Sequence, residues 1–121
     1  MYDHDETIAE LFQRVSDEDL GGLQKTAGLS AGHRDKPVLR MWLLNACDAE
    51  RRRRQGQERQ FPSLWDVLEG LDGKDLAGAL EESAGYTLIA PSPALQELLQ
   101  QVHATVIVEV GQRLTPQHVG D

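Results

Sequence analysis

Apolar residues recur every three or four positions along most of the chain, a spacing that commits it to helices. Ile8, Leu11, Phe12 and Val15 fall on one face of a first helix. Ser16-Asp17-Glu18-Asp19 then reads as a capping box, with Ser16 as cap and Asp19 at N3. It opens a second helix with Leu20, Leu23 and Ala27 on its apolar face, closing at Gly28. Gly21 and Gly22 each weaken that helix by about 1 kcal/mol relative to Ala, or else admit another backbone at close range. Residues 29–35 read as a loop or one short turn, after which Asp35 caps and Pro37 begins the next helix. That helix carries Val38, Leu39, Met41, Trp42, Leu43, Leu44, Ala46 and Cys47. Apolar nearly all round, it is expected to be central and buried. It ends in Arg51 to Arg54, at the negative end of its dipole, before a polar connection, 55–60, broken at Gly56.

A second capping box, Ser63-Leu64-Trp65-Asp66, opens a helix with Leu64, Trp65, Leu68 and Leu71. Asp72-Gly73 breaks it, and Asp72 caps a short helix bearing Leu76, Ala79 and Leu80 that ends at Gly85. After a loop, Ser92-Pro93 is a strong helix start, and Leu95, Leu98, Leu99, Val102, Val106 and Val110 make a long apolar stripe. Its segment 105–110, TVIVEV, has the β-branched content of a strand, but no partner strand is in view, so helix is favoured. The expected fold is all-α: a compact antiparallel six-helix bundle with an additional C-terminal helix. Residues 1–85 form the bundle; residues 86–121 form a loop and a helix that either packs on the bundle or mediates oligomerisation.

Bulk properties narrow the functions. With 121 residues, 40% hydrophobic and 26% charged, the chain suits one domain with a real core. A net charge of −8 argues against nucleic acid and anionic membrane as partners, since both need a positive field. The single cysteine excludes an intrachain disulfide and a Cys-rich zinc site. The acidic start lacks a signal-peptide pattern and no apolar run is long enough to span a bilayer, pointing to a cytoplasmic address.

No motif for chemistry stands out. His4, His33, His103 and His118 lack a second ligand at helical spacing, so neither a metal nor a cofactor is expected. His33-Arg34-Asp35 spells a kinase tripeptide without any other kinase feature. Cys47, on the most apolar helix, reads as a small core residue, and Trp42 and Trp65 as core side chains. The chain is therefore expected not to be an enzyme. The sharpest charge feature is Arg51, Arg52, Arg53 and Arg54, extended by Arg59. It reads either as a patch that docks an acidic face or phosphate, or as a solvated helix end.

The order of these pieces resembles the death-fold superfamily. Residues 8–28, IAELFQRVSDEDLGGLQKTAG, resemble the first two helices of death effector domains. Residues 38–55, VLRMWLLNACDAERRRRQ, look like the fourth helix of that family, and residues 61–80, FPSLWDVLEGLDGKDLAGAL, like its fifth and sixth. Gly73-Lys74-Asp75-Leu76 keeps the Asp-Leu of the family motif with Gly in place of Arg, while Lys25 and Thr26 stand where family members expose an apolar patch. The balance is closer to the short death-like domains of bacterial defence systems. The resemblance implies an adaptor that pairs with like folds, or with itself, through charged faces. Those faces would be Asp17, Glu18 and Asp19 on one side and Arg51 to Arg54 with Arg59 on another, joined by Lys74 and Asp75. Unlike charges on different faces of one molecule favour head-to-tail assembly. Rival readings are an acidic chaperone, immunity protein or antitoxin-like regulator covering a basic partner, a small helix-turn-helix DNA binder, and an enzyme of unrecognised type.

Overall fold

The computed structural model describes residues 3–29, 38–57, 60–88, 90 and 92–114. Among them the chain forms six helices and no strand: α1 (Asp3–Arg14), α2 (Asp17–Leu29), α3 (Val38–Arg54), α4 (Leu64–Glu69), α5 (Gly73–Leu88) and α6 (Pro93–Leu114). The expected cap and helix start at Asp35 and Pro37 lie outside the described residues, as does Arg59.

Polar side chains set the helix starts as the sequence indicates. Ser16, Ser63, Asp72 and Ser92 each accept the backbone N–H three residues on, from Asp19 (3.1 Å), Asp66 (3.0 Å), Asp75 (2.8 Å) and Leu95 (3.2 Å). Each removes one donor the first helical turn would leave unpaired. The six-residue α4 takes further help from Asp5 of α1, whose carboxylate accepts the N–H groups of Leu64 and Trp65 at 3.1 and 3.2 Å. At the other end of α3, Gly56 takes φ +86°, which lets its own N–H reach Arg53 O and that of Gln57 reach Arg52 O. This is a Schellman closure, and it needs a residue without a Cβ penalty.

The apolar faces meet in one core. α2 packs along α3, α5 along α6, and α1 lies against α6, with α3 and α5 joining the two sides. Phe12, Trp42 and Phe61 form a ring cluster with centroids 5.3 to 6.1 Å apart, and Trp42 donates its indole N–H to Pro62 O at 3.1 Å. The stripe of α6 contributes Leu95, Leu98, Leu99, Val102 and Val106, all buried. The TVIVEV segment lies within this helix, because its apolar residues continue a helical stripe and packing overrides their β-preference.

Three expectations are corrected. α5 does not end at Gly85; it runs on to Leu88, because Tyr86 is buried and holds the helix past the glycine. The helix in the fourth segment stops at Glu69, with Gly70 rather than Asp72-Gly73 closing it, and Leu71 lies in the turn beyond. α3 is not buried all round: Met41 is 56% exposed and Asn45 faces solvent. The glycines of α2 also make no close approach, since a Cβ built on Gly21 or Gly22 would meet nothing within 4 Å.

Phe12→Ala should lower unfolding free energy by about 3–5 kcal/mol in urea titrations. Gly22→Ala, with open space around it, should raise it by about 0.5–1 kcal/mol.

Candidate functional site at the corner of α2 and α3

The residues singled out for charge converge on one corner, where the start of α2 meets the end of α3. Its centre is Glu50, buried at 3% exposure on the inner side of α3. Arg53, one turn on, gives it two hydrogen bonds of 3.0 and 2.8 Å, and Arg54, at i+4, gives one of 2.6 Å. The second arm of Arg54 reaches across to α1 and donates to the carbonyls of Phe12 (2.9 Å) and Val15 (2.6 Å). Those carbonyls belong to a helix end that has no capping glycine of its own. One guanidinium thus satisfies a buried carboxylate and closes a neighbouring helix.

Arg54 also pairs with Asp17 at 2.5 Å, joining the acidic start of α2 to the basic end of α3. The Asp17 side chain is 88% exposed, so this contact contributes at most about 1 kcal/mol. The bonds to Glu50 and to the α1 carbonyls decide where Arg54 sits. Burial pushes the Glu50 carboxyl up, but the hydrogen bonds and charges of Arg53 and Arg54 outweigh it and hold it below its ordinary value of 4.5.

The remaining predicted residues divide by position. Arg52 pairs with Asp48 at 3.0 Å and reaches Gln57, both at the surface. Arg51 donates to Gln24 Oε1 at 2.7 Å, a neutral amide rather than a carboxylate. Arg51, Arg54 and Gln55 from α3, with Asp17, Leu20 and Gly21 from α2, line an open polar cleft of about 370 Å3. Glu18 is exposed and Asp19 half-buried beside it. Lys74 and Asp75 stand apart, in the first turn of α5, with Lys74 exposed. The acidic and basic faces expected on different sides of the molecule therefore meet at one corner, where Asp17 and Arg54 partly cancel each other.

Spacing in the sequence contained a signal for this arrangement that charge counting passes over: Glu50 and Arg54 are four apart at a helix end, and so are Glu109 and Arg113. Glu109 is likewise buried, and Arg113 donates to it at 2.8 Å. Arg113 then caps the end of α4 through Leu68 O (2.8 Å) and Leu71 O (2.6 Å).

Groups with chemical potential elsewhere are engaged in packing. Ser83 Oγ lies 2.6 Å from His103 Nδ1 and 3.0 Å from Leu80 O, a polar link between α5 and α6, but Ser83 is only 1% exposed. A nucleophile needs access that this hydroxyl does not have. Burial pushes the Cys47 thiol up to about 12, the Arg51 charge opposing it only in part. Among the described residues no group of three or more His, Cys, Asp or Glu is placed to hold a metal, and no helix is long and apolar enough to cross a membrane. A smaller apolar hollow, lined by Leu23, Tyr86, Leu95 and Leu99, lies between α2 and the start of α6. No protein-family model, curated protein or solved structure matches the chain.

Because the Glu50 carboxyl is lowered in the folded state, its contribution is full above pH 4.5 and is lost as pH falls through its lower folded value. Wild-type stability should fall with acidification in that window, and Glu50→Gln should start lower and flatten the slope in urea titrations taken at stepped pH. Cys47 should resist a thiol reagent in the native protein and react once the chain is unfolded in urea.

Proposed function

We propose that the chain is a non-catalytic recruitment module of death-fold type, pairing with like folds or with itself through charged faces in a cell-death or defence pathway. The observation that carries this reading is the surplus of exposed guanidinium groups at the end of α3. Arg53 and Arg54 hold Glu50 and Arg54 closes α1, yet Arg51 and Arg52 accompany them on the surface. Gly21 lines the cleft beside them, where a Cβ would meet nothing within 4 Å. The resemblance of residues 8–28, 38–55 and 61–80 to death effector domains supplies the death-fold part of the proposal.

With Asp17 engaged by Arg54, the carboxylates offered to a second copy come from other positions. Glu18 is exposed on α2, and Asp66, Glu69 and Asp72 are exposed around the α4–α5 turn, beside Lys74 and Asp75. Arginines at one corner and carboxylates at another define a heterologous contact, which propagates instead of closing.

A second reading has its own support. Three carboxylates, Asp17, Asp48 and Glu50, already pair with the arginine run, so the net negative charge of the chain resides on the rest of it. That suits an acidic chaperone, immunity protein or antitoxin-like regulator that covers a basic partner.

Sedimentation velocity across a concentration series separates the two. Recruitment by self-pairing predicts concentration-dependent assembly that weakens with salt and is lost in the charge reversal Arg51→Glu/Arg52→Glu. A wild type that stays monomeric, or a variant that assembles unchanged, would overturn it in favour of the acidic regulator.

A further inference from the structure

We infer that the chain is built from two copies of one three-helix unit, α1–α3 and α4–α6, and that Arg51 and Arg52 are the residues the fold leaves over for a partner's carboxylates. The first part stands on geometry alone; the second rests on the interaction reading above.

The two units match position by position. At one constant separation, Ile8, Phe12, Leu20, Leu23 and Ala27 correspond to Leu64, Leu68, Leu76, Ala79 and Ser83, and every one of these is buried. Ser16 and Asp72 correspond in the same register, and both cap the residue three on, Asp19 and Asp75. Backbone bonds follow suit, with Leu20 N–H on Ser16 O at 2.8 Å and Leu76 N–H on Asp72 O at 2.9 Å. In the third helix of each unit the separation is again constant, three residues longer than before. Leu39, Leu43, Ala46, Cys47 and Glu50 correspond to Leu98, Val102, Thr105, Val106 and Glu109, all buried.

The strongest match is chemical. Arg54 holds Glu50 and donates to Phe12 O and Val15 O; Arg113 holds Glu109 and donates to Leu68 O and Leu71 O. In the register set by the apolar residues, Phe12 corresponds to Leu68 and Val15 to Leu71. The same arginine therefore closes the same helix at the same two carbonyls in both units. Chance agreement of burial pattern is easy in amphipathic helices, whereas agreement of donor, carboxylate and both acceptors is not.

The repeat then serves as an internal control on the arginine run. Arg51, Arg52 and Arg53 correspond to Val110, Gly111 and Gln112, so a unit of this design folds without cations at those positions. Ala77 likewise stands where the first unit has Gly21. What distinguishes the first unit is thus the exposed cationic edge and the open floor of the cleft. Arg51 is bonded to a neutral amide rather than a carboxylate, and planar guanidinium groups favour carboxylates in a forked geometry. The partner class is an acidic protein segment.

Thermal melts and an NMR titration of the full chain test both parts. Arg54→Gln and Arg113→Gln should each lower Tm by a similar amount, about 5 °C or more. Arg54→Lys and Arg113→Lys give milder, again matched, losses if the glutamine variants do not fold. The double variant Arg51→Gln/Arg52→Gln, which leaves Arg53 and Arg54 on Glu50, should keep Tm within about 2 °C. Millimolar hexaglutamate should shift the Arg Nε–H signals of Arg51 and Arg52 and leave that of Arg113 in place, and the double variant should lose the α2–α3 shifts. A silent Arg113 variant beside a destabilised Arg54 variant would overturn the two-unit design. Absence of shifts at Arg51 and Arg52, or the same α2–α3 shifts in the double variant, would overturn the binding edge. A wild type that stays monomeric but shows the peptide shifts would sink self-recruitment and leave this inference standing.

Discussion

The buried carboxylate of Glu50 is the constraint on which the α1–α3 half of the molecule depends. A charge at 3% exposure is tolerated only when its lone pairs are filled, and Arg53 and Arg54 fill them. In meeting that demand, Arg54 is fixed in the one position from which its free arm reaches the end of α1. Three helices are tied by a single side chain, because α2 enters through Asp17 as well. Losing Arg54 would remove one of the two guanidinium groups on the buried carboxylate and open the end of α1 together.

This explains why charge alone misleads about the surface. Four adjacent arginines suggest a strongly positive patch, yet Asp48, Glu50 and Asp17 lie within bonding distance of three of them. The field that remains is local, centred on Arg51, on a chain of net charge −8. Any interaction at this corner is therefore short-range and geometric, governed by forked hydrogen bonds more than by long-range steering.

Much of the fold was legible from residue spacing. The caps at Ser16, Ser63, Asp72 and Ser92 and the stripe of α6 follow from local rules, because each depends on neighbours within a turn. The extension of α5 past Gly85 was not legible, since it depends on Tyr86 finding a place in the core, a tertiary fact. Of the site, Asp17 and the arginines were visible, but Glu50 at its centre and the meeting of the two charged segments were not. Asp17 and Arg54 lie far apart in the chain, and only the antiparallel packing of α2 on α3 joins them. The Glu-to-Arg spacing at 50 and 54, repeated at 109 and 113, was the overlooked clue: at four residues apart a pair faces the same way, and at a helix end it can reach a neighbour.

The most direct test is a double-mutant cycle on Glu50→Gln and Arg54→Gln, read from urea unfolding at neutral pH. If the pair is one clamp, each single variant is strongly destabilised and the double variant recovers part of the loss, giving a coupling energy of about 1–3 kcal/mol. Losses that add to within about 0.5 kcal/mol would show two residues acting independently and contradict the account.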